Sequence, residues 1–152
     1  MAYWLFKSEP TTFSIDDLIR SPKQTTHWNG IRNYQVRNML RDDMQAGDLV
    51  FFYHSNATPP GIVGIMEIVK TGYPDDSAWD KKSHYFDAKS SIEKPLWYQV
   101  DVRFVKKFKT IISLDDIKKN PQLSTMLIVR KGNRLSITPV SAKEWKIITS
   151  MA

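Results

Sequence analysis

The sequence predicts an α+β protein, a small mixed barrel of five to six short strands with short helices inserted between them. Three observations carry this. The 152 residues fit one domain, 1–152, with no repeat, low-complexity tract or linker to divide it. About five apolar runs of strand length lie between turn signals. Helix signals fall among them without the strict strand–helix alternation that a doubly wound sheet requires.

The elements follow in order. Ala2-Tyr3-Trp4-Leu5-Phe6-Lys7 is an aromatic run that reads as a buried strand, and Ser8-Glu9-Pro10 ends it because proline cannot donate to a ladder. Ser14 caps a short helix whose apolar face is Ile15, Leu18 and Ile19, stopped at Pro22. Residues 24–33 read as a loop around the Asn29-Gly30 turn. A second helix starts near Asn33 or Tyr34, buries Val36, Met39 and Leu40, and sets Arg37 and Arg41 one turn apart on another face. Leu49–Tyr53 is apolar on both faces, as a central strand is. A Pro-Pro-Gly turn leads to a strand over 62–69. Residues 71–95 are polar and read as a long surface excursion, the kind of loop that carries function or moves. From 97 to 106 the pattern alternates: Tyr98, Val100, Val102 and Phe104 face the core, and Trp97, Gln99, Asp101 and Arg103 face away. Ser113 caps a short helix, residues 134–138 form a last strand, and Ser141 to Glu144 is a capping box opening a helix with Trp145 and Ile148.

Composition narrows the chemistry. There is no cysteine, which excludes disulfides and thiolate metal sites and points to a reducing compartment. No apolar run reaches the roughly 18 residues of a membrane span, and the first ten residues lack a signal peptide's basic start and apolar core. A membrane partner is not expected, and the cytoplasm follows by elimination. The balance of 22 Lys and Arg against 16 Asp and Glu favours a polyanionic partner. Five Trp and six Tyr are many for so short a chain; most are expected in the core, but some sit among polar residues.

Several segments could form a base pocket. A base taken from its stack loses a few kcal/mol, and an aromatic ring returns roughly 1–3 kcal/mol by stacking. Trp28, on a turn beside Asn29 and Gly30, can supply such a ring; alternatively it folds back to cap the barrel. Arg32, Asn33, Tyr34 and Arg37 open a helix, where amides and arginines favour phosphate; Asn33 is equally an ordinary N-cap, and Arg37 and Arg41 ordinary solvated charges. Tyr53, His54 and Ser55 end the central strand, so Ser55 can read a base edge and Tyr53 can be a second wall or a core ring. Ser8 is placed to hydrogen-bond in the pocket, and Glu9 to pair with an arginine. Trp97 is a pocket wall or is covered by the long loop. Lys7 and Arg103, with Lys106, Lys107 and Lys109, can follow phosphates or simply keep a face soluble.

The rival class is an enzyme. His54 and Ser55 suggest a small hydrolase, with Asp48 or Asp101 orienting the imidazole, but neighbours on a strand point to opposite faces. No nucleophile elbow, phosphate loop or dinucleotide fingerprint is present. Asp75, Asp76, Asp80, His84 and Asp87 lack metal-ligand spacing. No catalytic residue, cofactor or metal is expected.

The motifs in order are Tyr3–Pro10, Trp28–Asn38, Gly47–Ser55, Tyr73-Pro74-Asp75, Ser83–Asp87, Trp97–Val102, Pro139-Val140 and Trp145. In this order the sequence resembles the EVE domain family, from residue 3 to about 148; Ile31 and Val36 stand where valine and alanine are also common. The resemblance implies a PUA-like barrel, of the superfamily that holds the YTH and SRA-type base readers. It implies a module that binds DNA or RNA and seats one modified base, such as methylated or hydroxymethylated cytosine. The pocket would draw on Ser8, Trp28, Asn29, Tyr34, Tyr53, Ser55 and Trp97. Lys7, Arg32, Asn33, Arg37, Arg41 and Arg103 would hold the backbone. A monomer is expected. A general RNA-binding module acting on tRNA or rRNA shares the same basic surface.

Overall fold

Aromatic and aliphatic residues that fill both sides of one strand place it inside a sheet, with a neighbour on each side. In the computed structural model, which describes residues 1–152, β1 (Tyr3–Ser8) lies between β3 (Leu49–His54) and β6 (Ile137–Val140). It runs parallel to β3, with Tyr3 opposite Leu49 and Ser8 opposite His54. β2 (Thr25–Trp28), β4 (Gly61–Pro74) and β5 (Tyr98–Ser113) complete a six-stranded sheet in the order β2-β5-β4-β3-β1-β6, antiparallel at every pair but β1–β3.

Successive side chains send alternate residues to two cores. Trp4, Phe6, Val50, Phe52, Val100 and Val102 belong to one, Leu5, Phe51 and Tyr53 to the other. Helices α1 (Ile15–Arg20) and α2 (Tyr34–Asn38), with a π-turn over Met39–Asp43, close the first core with Ile15, Leu18, Val36 and Leu40. Helices α3 (Leu114–Lys119) and α4 (Ala142–Met151) close the second, where Trp145 stacks on Phe51 at 3.8 Å between centroids. The serine caps fall where expected: Ser14 and Ser141 each form a capping box, and Ser113 accepts from Asp116.

The expected barrel does not close. β2 and β6 are the two edges of an open sheet. Register shifts bend the long strands β4 and β5, but β2 has only four residues and pairs with β5 alone. Residues 25–28, read from sequence as loop, therefore form an edge strand; Thr25, Thr26 and Trp28 suit a strand, and the turn signal at Asn29-Gly30 masked them. β4 continues to Pro74 because Tyr73 pairs with Gln99, so the excursion begins at Asp75 rather than 71. β5 runs on to Ser113, past exposed lysines that hide its period. β6 starts at Ile137, not Arg134. Gln99, expected to face away from the core, is buried beneath the excursion.

His54, at the end of β3, accepts the backbone N–H of Ile15 on Nε2 at 3.1 Å. Burial lowers its pKa, partly opposed by Asp16 and reinforced by Lys107. A histidine whose folded pKa lies below the unfolded one binds a proton in the unfolded chain first. Its contribution is whole above about pH 6.5 and is lost as the pH falls below that value. The melting temperature is expected to drop between pH 7 and 5.5, and His54→Gln should flatten that slope. A slope unchanged by the substitution would assign the acid sensitivity elsewhere.

Candidate nucleic-acid interface

A cleft of about 490 Å³ opens between the C-terminal end of β1 and the edge strand β2. Its apolar lining is Phe13, Trp28, Ile31 and Tyr85; Ser8, Glu9, Thr12 and Asn29 line it among the polar residues, and Lys7 is also part of it. An edge strand leaves alternate backbone N–H and C=O groups unpaired, and in β2 that edge borders the cleft. β2 is pinned to its neighbour β5: Asp101, opposite the cleft residue His27, lies 2.8 Å from His27 Nδ1 and accepts from the Tyr73 hydroxyl at 2.5 Å. Burial, then the Asp101 hydrogen bond, pushes the Tyr73 hydroxyl's pKa up, so it stays a donor.

Trp28 is a core residue as well as a wall. It is 9% exposed and packs against Phe6 at 5.3 Å and Phe52 at 5.6 Å, with Phe13 edge-on at 6.2 Å. The turn that was expected to hold it out to solvent starts one residue later. Phe13 and Tyr85 are thus the more accessible rings of the cleft. The Ser8 hydroxyl donates to the carbonyl of Phe13 at 2.7 Å, which leaves it an acceptor only for anything in the cleft. Glu9, expected to pair with an arginine, is exposed and forms no salt bridge. Lys7 is likewise free of a carboxylate, and burial lowers its pKa.

The cleft's outer wall hangs on a buried carboxylate. The side chain of Asp75 is wholly buried and accepts from the Gly30 N–H at 2.9 Å, the Ser77 N–H at 2.9 Å, the Ser77 hydroxyl at 2.5 Å and Arg32 Nη1 at 3.1 Å. Gly30 has φ +79, and a Cβ there would lie 2.5 Å from the Tyr85 ring, so only glycine allows the ring to rest on this turn. Arg32 also donates to the carbonyls of Ile31 and Tyr85. Its expected phosphate contact competes with these protein partners.

The other expected residues lie outside the cleft. Tyr53 is 3% exposed and belongs to the opposite core, because the alternation along β3 sends it away from Phe52. The N–H of Ser55 bonds the Ser8 carbonyl at 3.0 Å, beside the cleft rather than in it. Trp97 is covered by the excursion and donates to Asp87 at 2.7 Å, a bond that lowers the carboxyl's pKa. Tyr34 stacks on Trp97 at 4.8 Å, out on the surface. Asn33 is the N-cap of α2. Arg37 bonds Asn38 and the Leu96 carbonyl, Arg41 pairs with Asp42, and Arg103 pairs with Glu67 across β5 and β4. Two acidic residues of the excursion hold its own turns: Asp80 accepts from the Lys82 N–H, and Asp87 from the Lys89 N–H as well as from Trp97. His54, engaged with Ile15, is not directed at Ser55.

Sequence reasoning did not assign Glu9, Thr12, Phe13, Thr26, His27, Ile31 or Tyr85 to the cleft. Tyr85, an aromatic in a polar stretch, carried a visible signal. Phe13 lies in a loop before a helix, and nothing local marks which way it turns.

Comparison with known proteins gives a match to the EVE domain family over residues 2–151. Thymocyte nuclear protein 1 of Rattus norvegicus is 44% identical over 167 residues, covering 98% of this chain and 73% of that protein. Among solved structures, a protein from Pseudomonas syringae superposes with a TM-score of 0.93 at 50% identity, covering 99% of each chain. Human THYN1 protein in complex with DNA containing 5-methylcytosine superposes with a TM-score of 0.92 at 40% identity, covering 99% of this chain and 97% of that one.

Proposed function

The chain belongs to the EVE domain family, and from that premise we propose that it binds nucleic acid and seats one methylated cytosine-type base in the cleft between β1 and β2. The observation that carries this is the cleft itself. It joins an apolar floor of Phe13 and Trp28 to unspent polar groups on its rim, within a volume typical of small-ligand sites, roughly 300–1,000 Å³. A relative of the same fold is described with 5-methylcytosine DNA.

In this reading the rings stack on the base and its 5-methyl group meets apolar wall. Glu9 and the Ser8 oxygen accept from the exocyclic amine of cytosine, a donor that carboxylates characteristically meet. Lys7 and Asn29 supply donors for the opposite edge. The gap where β2 fails to pair with β1 is the opening through which the base enters, and the bent six-stranded sheet around it is of the PUA-like kind. The module works as a monomer, without metal or cofactor, in a reducing compartment such as the cytoplasm. No helix is long and apolar enough to cross a membrane. It binds rather than catalyses: a bound oligonucleotide is expected to return with unchanged mass. No observation favours the general RNA-binding alternative over this one.

The test is an affinity series on single-stranded oligonucleotides that differ only in the 5-methyl group, repeated across salt. The methylated strand is expected to bind more tightly. With about three phosphates engaged, affinity falls roughly tenfold to fiftyfold between about 50 and 200 mM salt. Equal affinity for methylated and plain strands would overturn the base pocket; a flat salt response would overturn the polyanion.

A further inference from the structure

Tyr34 is the most exposed of the large aromatic residues, at 54%, against 38% for Tyr85 and 39% for Phe86. Exposure alone is ordinary. What sets this ring apart is how firmly it is held. Asn33 caps the helix that Tyr34 opens, accepting from Val36 at 3.0 Å. Trp97, 5% exposed and fixed through Asp87, lies beneath the ring at an interplanar angle of 27°. The Arg37 guanidinium sits over it at 4.9 Å, tied by Nη1 to the Leu96 carbonyl and by Nε to Asn38. Arg37 Nη2 has no acceptor in the protein.

This stack continues into the cleft. Arg32 lies over Trp97 at 5.3 Å and over Tyr85 at 5.6 Å, and Tyr85 is the cleft's lip. From lip to surface the order is Tyr85, Arg32, Trp97, Tyr34, Arg37, rings alternating with guanidiniums but for one ring-on-ring contact. Aromatic and guanidinium planes are the surfaces on which bases stack, and the interleaved cations suit the phosphates between those bases. A stack already ordered loses little entropy when a base settles on it.

We propose that the Arg37 guanidinium, supported on the Tyr34 ring, is the open face of a second stacking platform that takes a base neighbouring the one seated in the cleft. The proposal rests on the base-pocket reading and extends it: the ligand is a strand running from the cleft over Tyr85 to α2, with Arg37 Nη2 donating to a phosphate along the way. The ladder also clamps the excursion to α2, so the experiment must separate stacking from clamping.

The separation is a double-mutant cycle between the ring and the neighbouring bases. Wild type, Tyr34→Ala and Tyr34→Phe are titrated by fluorescence anisotropy with single-stranded DNA carrying one 5-methylcytosine. The strand has either ordinary neighbours or abasic neighbours on both sides of that base. On the ordinary strand Tyr34→Ala is expected to weaken binding about tenfold or more, while Tyr34→Phe stays near wild type. On the abasic-flanked strand the three proteins should bind alike. An equal loss on both strands makes Tyr34 a clamp and overturns the platform, as does no loss on either. If the ordinary-neighbour loss holds while the methyl preference is absent, the cleft reading fails and the platform stands.

Discussion

Asp75→Ala is expected to lower the unfolding free energy by about 3–5 kcal/mol, the usual cost of breaking a buried charge pair by removing one partner. The carboxylate is wholly buried and receives donors from Gly30, Ser77 and Arg32. Alanine would leave those donors without an acceptor and the guanidinium half-sunk without its counter-charge, with only the Ile31 and Tyr85 carbonyls to hold it. Urea unfolding monitored by tryptophan fluorescence measures the loss as a fall in midpoint at unchanged slope. Arg32→Ala removes the other member of the pair, so the double variant should lose less than the two single losses added together. A drop below about 1 kcal/mol for Asp75→Ala would mean that water replaces the carboxylate at little cost. The function should fall with the fold here. Asp75 ties the Gly30 turn to the start of the excursion that carries Tyr85, and it sets the separation of the cleft's walls. Below its melting point the variant is expected to hold methylated and plain strands with more nearly equal affinity.

That Asp75 matters so much was not legible in the sequence, and the reason is physical. Ser77 is a local cap partner, but Gly30 and Arg32 are joined to Asp75 only when a polar excursion folds back over a turn. Local pattern carries no trace of such a contact. What pattern does carry is burial with a period. The double-sided run of β3, the alternation that opens β5 and the Ser14, Ser113 and Ser141 caps were all readable. Barrel closure was not, because it depends on whether β2 is long enough to reach a second neighbour. The cleft was half legible. Lys7, Ser8, Trp28 and Asn29 belong to runs quoted for the family resemblance, and the fold brings them together. Tyr53 and Trp97 each carried two readings from sequence, pocket wall or covered ring, for a shared reason. An aromatic at a strand's end reads the same whether it faces a cleft or a core, and strand parity and the covering loop decide between them.

Trp28→Ala tests both lives of that residue at once. The ring is nearly buried among Phe6, Phe13 and Phe52, so truncation should cost about 3–5 kcal/mol of stability, as loss of a core tryptophan does. The same change removes the floor of the cleft, and the methylated strand should lose roughly tenfold to a hundredfold in affinity if the base touches the ring. A single variant confounds the two losses, because a loosened β2 edge also weakens binding. Phe13→Ala separates them. Phe13 lines the same cleft but is only partly buried at the margin of the core, so it should cost less stability for a similar loss of affinity. Trp28→Phe supplies the third point, keeping an aromatic face while leaving a smaller void. If preference for the methylated strand follows the presence of a ring across these variants and not their melting temperatures, the floor is a stacking surface. If preference survives in Trp28→Ala at temperatures where the variant is folded, Trp28 serves the core alone, and Phe13 and Tyr85 hold the base between them.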